Sequence, residues 1–442
     1  MRNTNKKGFT IVELVIVVAV IAILAAVLIP TFSGIIAKAN ESADIQALNA
    51  MNKILAMEEA TFTGTMEIMD AYKVFDNNGI KADAYTALYK GRYYFYDVSL
   101  ERVLYTDENY NVLAPEEHKN VVKNTNWRSL NGTINETKVE PNANGVYAIS
   151  TPEQLYYVAN NYSGSESITI ELASDIDLLG AAVAFENNIS SGTLKIVGTK
   201  ADGSATVIKN FVGYNQYNAV SESADGTIRN YNSGFISSVK GGNVHLENLI
   251  FDNCVVEVPD AGNVAIVVGS LSTNSGNTIK NVTVQNSTVS GNRNTGALVG
   301  MCYDVSAIQD CVITNVNVFT ATGRSGIIAG VCSNSWNSTA VKNMCDEVTV
   351  TNSTLKLWEE YKTKQIANVT VSDVKTNNNV DSSKAVTTGV TFILCEKYDT
   401  PNQYYMHCDD ALTWVGDGSM YGTIKDANGN TISGVSSYFL IK

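Results

Sequence analysis

Three patterns of apolar and polar positions succeed one another along the chain. From Leu14 to Ile29 no side chain is polar, and Pro30 closes the run. Beyond it, Ile45, Leu48, Met51 and Leu55 recur at spacings of 3, 3 and 4, the signature of one buried helix face. Ala47, Ala50 and Ile54 widen that stripe, while Lys38, Asn40, Glu41, Asp44, Asn49, Asn52 and Lys53 supply the polar faces. Together they predict a single helix from Phe9 to about Glu59, roughly 75 Å long at 1.5 Å per residue. Pro30 lacks an N–H and crowds the residue four back, so a kink is expected there.

After Thr61 the period shortens. A short helical stretch (Thr65 to Phe75) precedes strand-like pieces at Arg92-Tyr-Tyr-Phe-Tyr96, Arg102-Val-Leu-Tyr105 and Asn111-Val-Leu113. Turns at Asp97-Val-Ser and Asp107-Glu-Asn make these a meander. Tyr93, Tyr94 and Tyr96 could form a carbohydrate platform, although packing of a half-buried sheet explains them as well. Val122 to Pro141 is poor in apolar residues and reads as a linker.

Beyond the linker the chain repeats. Gly234-Phe-Ile-Ser, Ala265-Ile-Val-Val-Gly269, Gly296-Ala-Leu-Val-Gly300 and Gly326-Ile-Ile-Ala-Gly330 start 31, 31 and 30 residues apart. Between them run Asn248-Leu-Ile-Phe-Asp-Asn253, Asn281-Val-Thr-Val-Gln-Asn286 and Asp310-Cys-Val-Ile-Thr-Asn315. Repeats of this length cannot bury a face alone and must stack, which predicts a β-solenoid. Stacking aligns Asn248, Asn281, Asp310 and Asn343 in one row, expected to satisfy turn backbone groups, with Leu249, Val282, Cys311 and Met344 as an inward row. Gly269, Gly300 and Gly330 suit bends at strand corners. Asn368-Val-Thr-Val371 echoes Asn281-Val-Thr-Val284 and suggests a further coil. Upstream, Tyr147 to Asn160 reads as a capping helix and its approach, with Ser150 or Thr151 as N-cap and Pro152 in the first turn. Ile168 to Leu178 then supplies the first strand.

The apolar run is preceded by Arg2, Lys6 and Lys7 with no acid among them. Phe9 to Ile29 as a helix spans roughly 30 Å, one bilayer core. The basic end favours the cytoplasm and places the remainder outside. A cleaved secretory signal shares this start but ends in small residues at a cut site; Ala25-Ala26 is the only such pair, and the run continues past it. A plain single-span anchor leaves Glu13 unexplained. A carboxylate at that depth costs ~2.5–3.5 kcal/mol on insertion scales and calls for a cation beside it.

Lys6-Lys7-Gly8-Phe9-Thr10-Ile11-Val12-Glu13-Leu14, followed by the apolar run and Pro30, resembles the prepilin N-terminus of type IV pilins and pseudopilins over about 35 residues. The resemblance implies cleavage between Gly8 and Phe9 by a prepilin peptidase, N-methylation of the new Phe9 amine by the same machinery, and pairing of Glu13 with the Phe9 ammonium of a neighbouring subunit. The lysine-rich leader and the Pro-Thr-Phe helix break resemble prepilins of Gram-positive bacteria. The meander resembles the small sheet that packs on a pilin helix. The repeats resemble right-handed β-helix domains of bacterial surface proteins, which implies architecture rather than an activity.

Composition narrows the chemistry. Of 442 residues 45% are hydrophobic and 17% charged, and the formal charge is −13, so a phosphate-neutralising surface for nucleic acid is excluded as the main function. Loss of a leader with three positive charges leaves 28 basic against 44 acidic side chains, a mature charge of −16. Seven Cys all follow residue 250. Cys302 and Cys332 share one repeat offset with Leu271 and read as small inward hydrophobes. Cys395 with Cys408 is the favoured disulfide pair, and a zinc site of Cys395, His407 and Cys408 lacks a fourth ligand. Asp175 and Asp177 lack calcium-loop spacing and read as strand-end turn residues. Asp252, Asp304, Asp310 and Arg324 are the enzyme candidates on a stacked surface, set against the commoner role of turn-capping carboxylates.

The expected fold class is α+β: a leader (1–8), a pilin-type helix (9–59, membrane span about 9–30), a small pilin-like head (60–141), a right-handed parallel β-helix (147–381) and a C-terminal β cap (382–442). The expected function is a type IV pilin-like filament subunit, a minor one, whose large head serves cell-surface adhesion. It is a single-pass membrane protein before assembly and part of a surface pilus afterwards. Its expected partners are the prepilin peptidase and methylase, other pilin subunits, the membrane and a carbohydrate or host-surface ligand. No enzyme activity, cofactor or metal is expected. A secretion or DNA-uptake pseudopilin, a polysaccharide-degrading surface enzyme and a membrane-anchored protein that never polymerises are the alternatives.

Overall fold

A 49-residue helix, α1 (Ile11–Glu59), opens the chain and is continuous through Pro30. The computed structural model describes residues 11–185, 188–214, 232–258, 262–272, 276–291, 294–302, 307–320, 324–325, 327–332, 345–346, 348–357, 365–370, 385–388, 391–395, 413–416, 422–425 and 431–432. Gly8, Phe9, Asp304, Asn343, Met344, His407 and Cys408 lie outside the described residues. The long helix followed by a β-rich remainder makes an α+β chain.

Two units divide between Asn124 and Thr125. In the first, the expected stripe of α1 is inside: Leu48, Met51 and Leu55 are fully buried, each contributing about 2 kcal/mol of transfer energy. The second helix, α2 (Ile68–Asn77), starts three residues later than its sequence pattern suggests and buries Ile68, Met69, Tyr72 and Phe75. The meander forms as β1 (Tyr93–Asp97), β2 (Arg102–Thr106) and β3 (Val112–Ala114), with β2 between the other two. Pairing is antiparallel, Phe95 facing Leu104 and Tyr105 facing Ala114. Both turns are Asx-stabilised: Asp97 accepts from Ser99 N and Leu100 N, and Asp107 from Asn109 N and Asn111 N.

The second unit begins inside the segment expected to be a linker. Trp127, Leu130 and Ile134 are buried, in and after a short strand, β4 (Trp127–Ser129). Ser129 N donates to Leu179 O at 2.6 Å and Ala182 N to Gly132 O at 2.8 Å. The apolar residues here are few but large and three or four apart, so a compositional average hides them. β5 (Val146–Ile149) pairs in parallel with β6 (Ile168–Leu172). Between them lies α3 (Pro152–Asn161), whose N-cap is Thr151, accepting from Gln154 N at 3.3 Å. Gln154 Oε1 reaches back past the N-cap to accept from Ser150 N at 2.9 Å, so Thr151 rather than Ser150 caps the helix.

From β5 onward the strands enter one 17-stranded sheet, two four-stranded sheets and one three-stranded sheet. The long strands Asn243–Asp252 and Thr278–Gly291 run parallel, His245 facing Thr278 and Leu249 facing Val282. Thr283 then faces Val312. The first small sheet orders Asn232–Ser233, Asn263–Ala265, Asn294–Gly296 and Arg324–Ser325, and the second Ile236–Lys240, Val268–Ser272, Val299–Cys302 and Ala329–Cys332. Leu271, Cys302 and Cys332 share one register column, as their common offset predicts. Gln365–Thr370 departs from expectation: it runs antiparallel to Thr391–Cys395, so the Asn368 echo does not continue the parallel register. Local similarity to Asn281-Val-Thr-Val284 specifies a strand but not its neighbour. Near the C-terminus, Thr413–Gly416, Gly422–Lys425 and Thr431–Ile432 form a small antiparallel sheet.

The glycines at 269 and 300 serve close approach rather than a bend. A Cβ on Gly300 would lie 2.5 Å from Gly269 O and 2.6 Å from Val264 N, and one on Gly269 2.6 Å from Ser237 O. Backbone from adjacent strands occupies the side-chain space.

Candidate functional site

The N-terminal half of α1 presents its apolar residues outward. Ile11 is 82% exposed, and Leu14, Ile16, Ile21, Leu24, Ile29, Phe32 and Ile36 are all exposed as well. By length and composition this is a helix able to cross a membrane. An unshielded stripe of this size demands lipid or other helices around it, because its removal from water is the largest favourable term available to it. Glu13 stands exposed near the start of α1, and Pro30 lies within the apolar stretch.

Lower on the same helix, polar side chains grip the small sheet. Asp44 is only 2% exposed. Its carboxylate accepts from Leu88 N at 2.8 Å, Tyr89 N at 3.0 Å and the Tyr105 hydroxyl at 3.0 Å. Its backbone carbonyl accepts from the Tyr94 hydroxyl at 2.8 Å. Asn52 imitates a strand: its Nδ2 donates to Val103 O at 2.9 Å and its Oδ1 accepts from Val103 N at 2.7 Å. Asn40 Nδ2 donates to Leu88 O at 3.2 Å. Asp44 and Asn52, expected to supply the polar faces of the helix, therefore serve as its polar contacts to the sheet. Asp44 stands four residues before Leu48, in line with the buried stripe, and that phase was the available signal. A carboxylate can occupy a core position only where donors converge on it.

The tyrosines fall to packing. Tyr94 and Tyr96 are buried, and the Tyr96 hydroxyl donates to Met66 O at 2.7 Å. Burial first, then nearby carboxylates, raises the phenol pKa values of Tyr94, Tyr96 and Tyr105 above their ordinary 10.0. A raised folded-state value means stability is whole below pH 10 and is lost as pH rises above it, where the unfolded chain would ionise first. Circular dichroism of the full chain from pH 8 to 12 should show the first unit losing stability only above pH 10; loss already between pH 8 and 9 would contradict this account.

In the second unit the predicted Asn row is an amide ladder in the left-handed backbone region. Asn248, Asn281 and Asp310 have φ of 58°, 50° and 54°, and Asn281 Nδ2 donates to Asn248 Oδ1 at 2.7 Å. A second ladder, missed from sequence, follows five residues on: Asn253 donates to Asn210, and Asn315 to Asn286, at 2.8 and 2.7 Å. A third is buried, Asn294 donating to Asn263 and Asn263 to Asn232. Asn tolerates positive φ better than other side-chain-bearing residues and bonds locally. Of the enzyme candidates, Asp252 belongs to this framework, accepting from Asn286 at 2.8 Å, and Asp310 takes the same left-handed backbone as Asn248 and Asn281. Asp177 accepts from Leu179 N two residues on, as a turn residue does, and also from Asn210, whereas Asp175 departs from the turn reading by accepting from Val207 N and Lys200, 32 and 25 residues away. Leu249, Val282 and Cys311 are buried beside the first ladder. Burial pushes the thiols of Cys254 and Cys311 up to about 12, the mark of small core hydrophobes rather than nucleophiles.

Comparison with known proteins agrees with the N-terminal geometry. Residues 3–29 match the model of the prokaryotic N-terminal methylation motif. Over 53 residues the chain is 49% identical to the type IV wide pilus major component PilA4 of Thermus thermophilus, a match that covers 12% of this chain and 40% of that protein. The chain thus spans less than half the length of this curated relative. Among solved structures, a Bacteroides ovatus protein provisionally assigned as an immunoglobulin A1 protease aligns over 67% of this chain and 94% of its own, at 16% identity and a TM-score of 0.30, too low to bear on fold or function. The N-terminal segment thus carries the prokaryotic methylation motif and is similar in sequence to that of a type IV pilus component.

Proposed function

We propose that the chain is a type IV pilin-like filament subunit, cleaved between Gly8 and Phe9 and methylated on the Phe9 amine, with Glu13 pairing to the Phe9 ammonium of a neighbour. The observation that carries this reading is the match of residues 3–29 to the methylation motif on a helix whose apolar surface is left exposed. Cleavage creates the cation that an intramembrane carboxylate requires. Its partners are a prepilin peptidase and other pilin subunits, and its location passes from membrane to surface filament.

The second unit is read as a right-handed parallel β-solenoid displayed for adhesion, which makes this a minor rather than a bulk subunit. Support comes from ladder bonds that join residues 33, 31 and 29 apart, the offset of successive turns of one winding chain, and from the strong right-handed preference of parallel crossovers. A binding rather than catalytic head accords with the structural employment of Asp252 and Asp310. Its ligand class is a carbohydrate or host-surface molecule.

Mass spectrometry of exported protein tests the core of the proposal. The expected N-terminus is Phe9 carrying one added methyl group; an intact Met1 or a cut near Ala26 would overturn it. In the same experiment Glu13→Ala should be cleaved normally yet fail to enter filaments, and normal incorporation would refute the pairing.

A further inference from the structure

We infer that Asn144 is a site of spontaneous covalent ageing, converting to aspartate and isoaspartate in the folded protein while the other described Asn-Gly pairs are protected. Three such pairs are described, Asn78-Gly79, Asn131-Gly132 and Asn144-Gly145, and the fold treats them differently. Asn78 Nδ2 donates to Val74 O at 2.9 Å at the end of α2. Asn131 Oδ1 accepts from the Ser129 hydroxyl, Thr133 N and the Thr133 hydroxyl at 3.2, 3.1 and 2.7 Å. The Asn144 side chain is exposed and makes no hydrogen bond among the described residues. A Cβ on Gly145 or on Gly79 would meet nothing within 4 Å, so the backbone is open at both, and Asn144 differs from Asn78 in its unbonded side chain.

The chemistry needs only water. Gly145 N bonds to Asn144 Cγ, the Cγ–Nδ2 bond breaks, and ammonia leaves with the proton given up by Gly145 N. Water then opens the cyclic imide at either carbonyl, yielding aspartate or, with one extra main-chain carbon, isoaspartate. Both products add a negative charge. In the starting turn Gly145 N donates to Asn142 O, and Asn142 Oδ1 accepts from Asn144 N and Val146 N. The turn must loosen for attack, but the side chain has no bond to give up. At Asn78 and Asn131 the side-chain bonds must break as well. Losing one hydrogen bond of ordinary net strength on the way to the transition state slows a step by about fivefold, and Asn131 must lose more than one. The turn leads directly into β5, so an isoaspartate lengthens the main chain just before the first strand of the large sheet.

The test is peptide mapping of the full chain after incubation at mildly alkaline pH, native and in parallel in urea. In urea all three pairs should convert at similar rates. In the native chain Asn144 should convert about fivefold or more ahead of Asn78, with Asn131 slowest, and Asn144→Gln should abolish the dominant acidic species. Retention of the Asn144 amide in native protein for as long as that of Asn78, or earlier conversion at Asn131, would overturn the inference.

Discussion

Replacing Asp44 by alanine should cost the first unit ~3–5 kcal/mol, because the change leaves two backbone amides and a tyrosine hydroxyl without their acceptor at a closed site. Leu88 N, Tyr89 N and the Tyr105 hydroxyl all converge on this one carboxylate, and the buried position admits little water in compensation. Asp44→Asn should lose less, since one oxygen still accepts while the new amide faces donors. Hydrogen exchange on the full chain in detergent reads the effect: the amides of Leu88 and Tyr89 should lose most of their protection in the alanine variant. Retained protection at both would show that the carboxylate does not clamp the helix to the sheet. Exposed Lys53, on the same helix, provides the contrast, and its substitution by alanine should fall within about 0.5 kcal/mol of the parent.

The other large effect belongs to the second unit. Gly300→Ala should destabilise it by ~3 kcal/mol, at the upper end for overpacking a site that cannot relax. Each nearest atom to the new methyl is main chain, Gly269 O at 2.5 Å, Val264 N at 2.6 Å and Asn263 C at 2.9 Å, so no rotamer change can make room. Strands of two small sheets would have to move apart instead. Gly34→Ala in the exposed part of α1, where nothing lies within 4 Å, is the control and should be neutral or add up to about 1 kcal/mol of helix propensity. Thermal unfolding of the two variants separates them. A Gly300→Ala chain as stable as the parent would mean that the strands approach less closely than the geometry requires.

The apolar helix at the start of the molecule was legible in the amino-acid order. Charge, apolar length and the position of Glu13 are local properties, and each acts through the helix alone. The meander was legible for the same reason, its Asx turns at Asp97 and Asp107 being set by residues two to four apart. The linker was misjudged because Trp127, Leu130 and Ile134 are buried among polar neighbours whose own backbone bonds run to residues fifty positions away. Composition in a window cannot register a partner outside it.

The amide rows show the same boundary. Their period is visible in the residue order, yet their left-handed backbone and their side-chain bonds exist only once strands 29 to 33 positions apart lie side by side. Asp44 is the sharpest case. Its helical phase placed it on the buried stripe, while its charge argued for solvent, and only the convergence of Leu88, Tyr89 and Tyr105 decides between them. Residue order alone therefore settles what depends on near neighbours, namely the apolar helix, its basic approach and the alternation of strands. Tertiary structure settles where polar groups go, because a buried donor or acceptor is tolerable only beside a partner, and that partner comes from elsewhere in the chain.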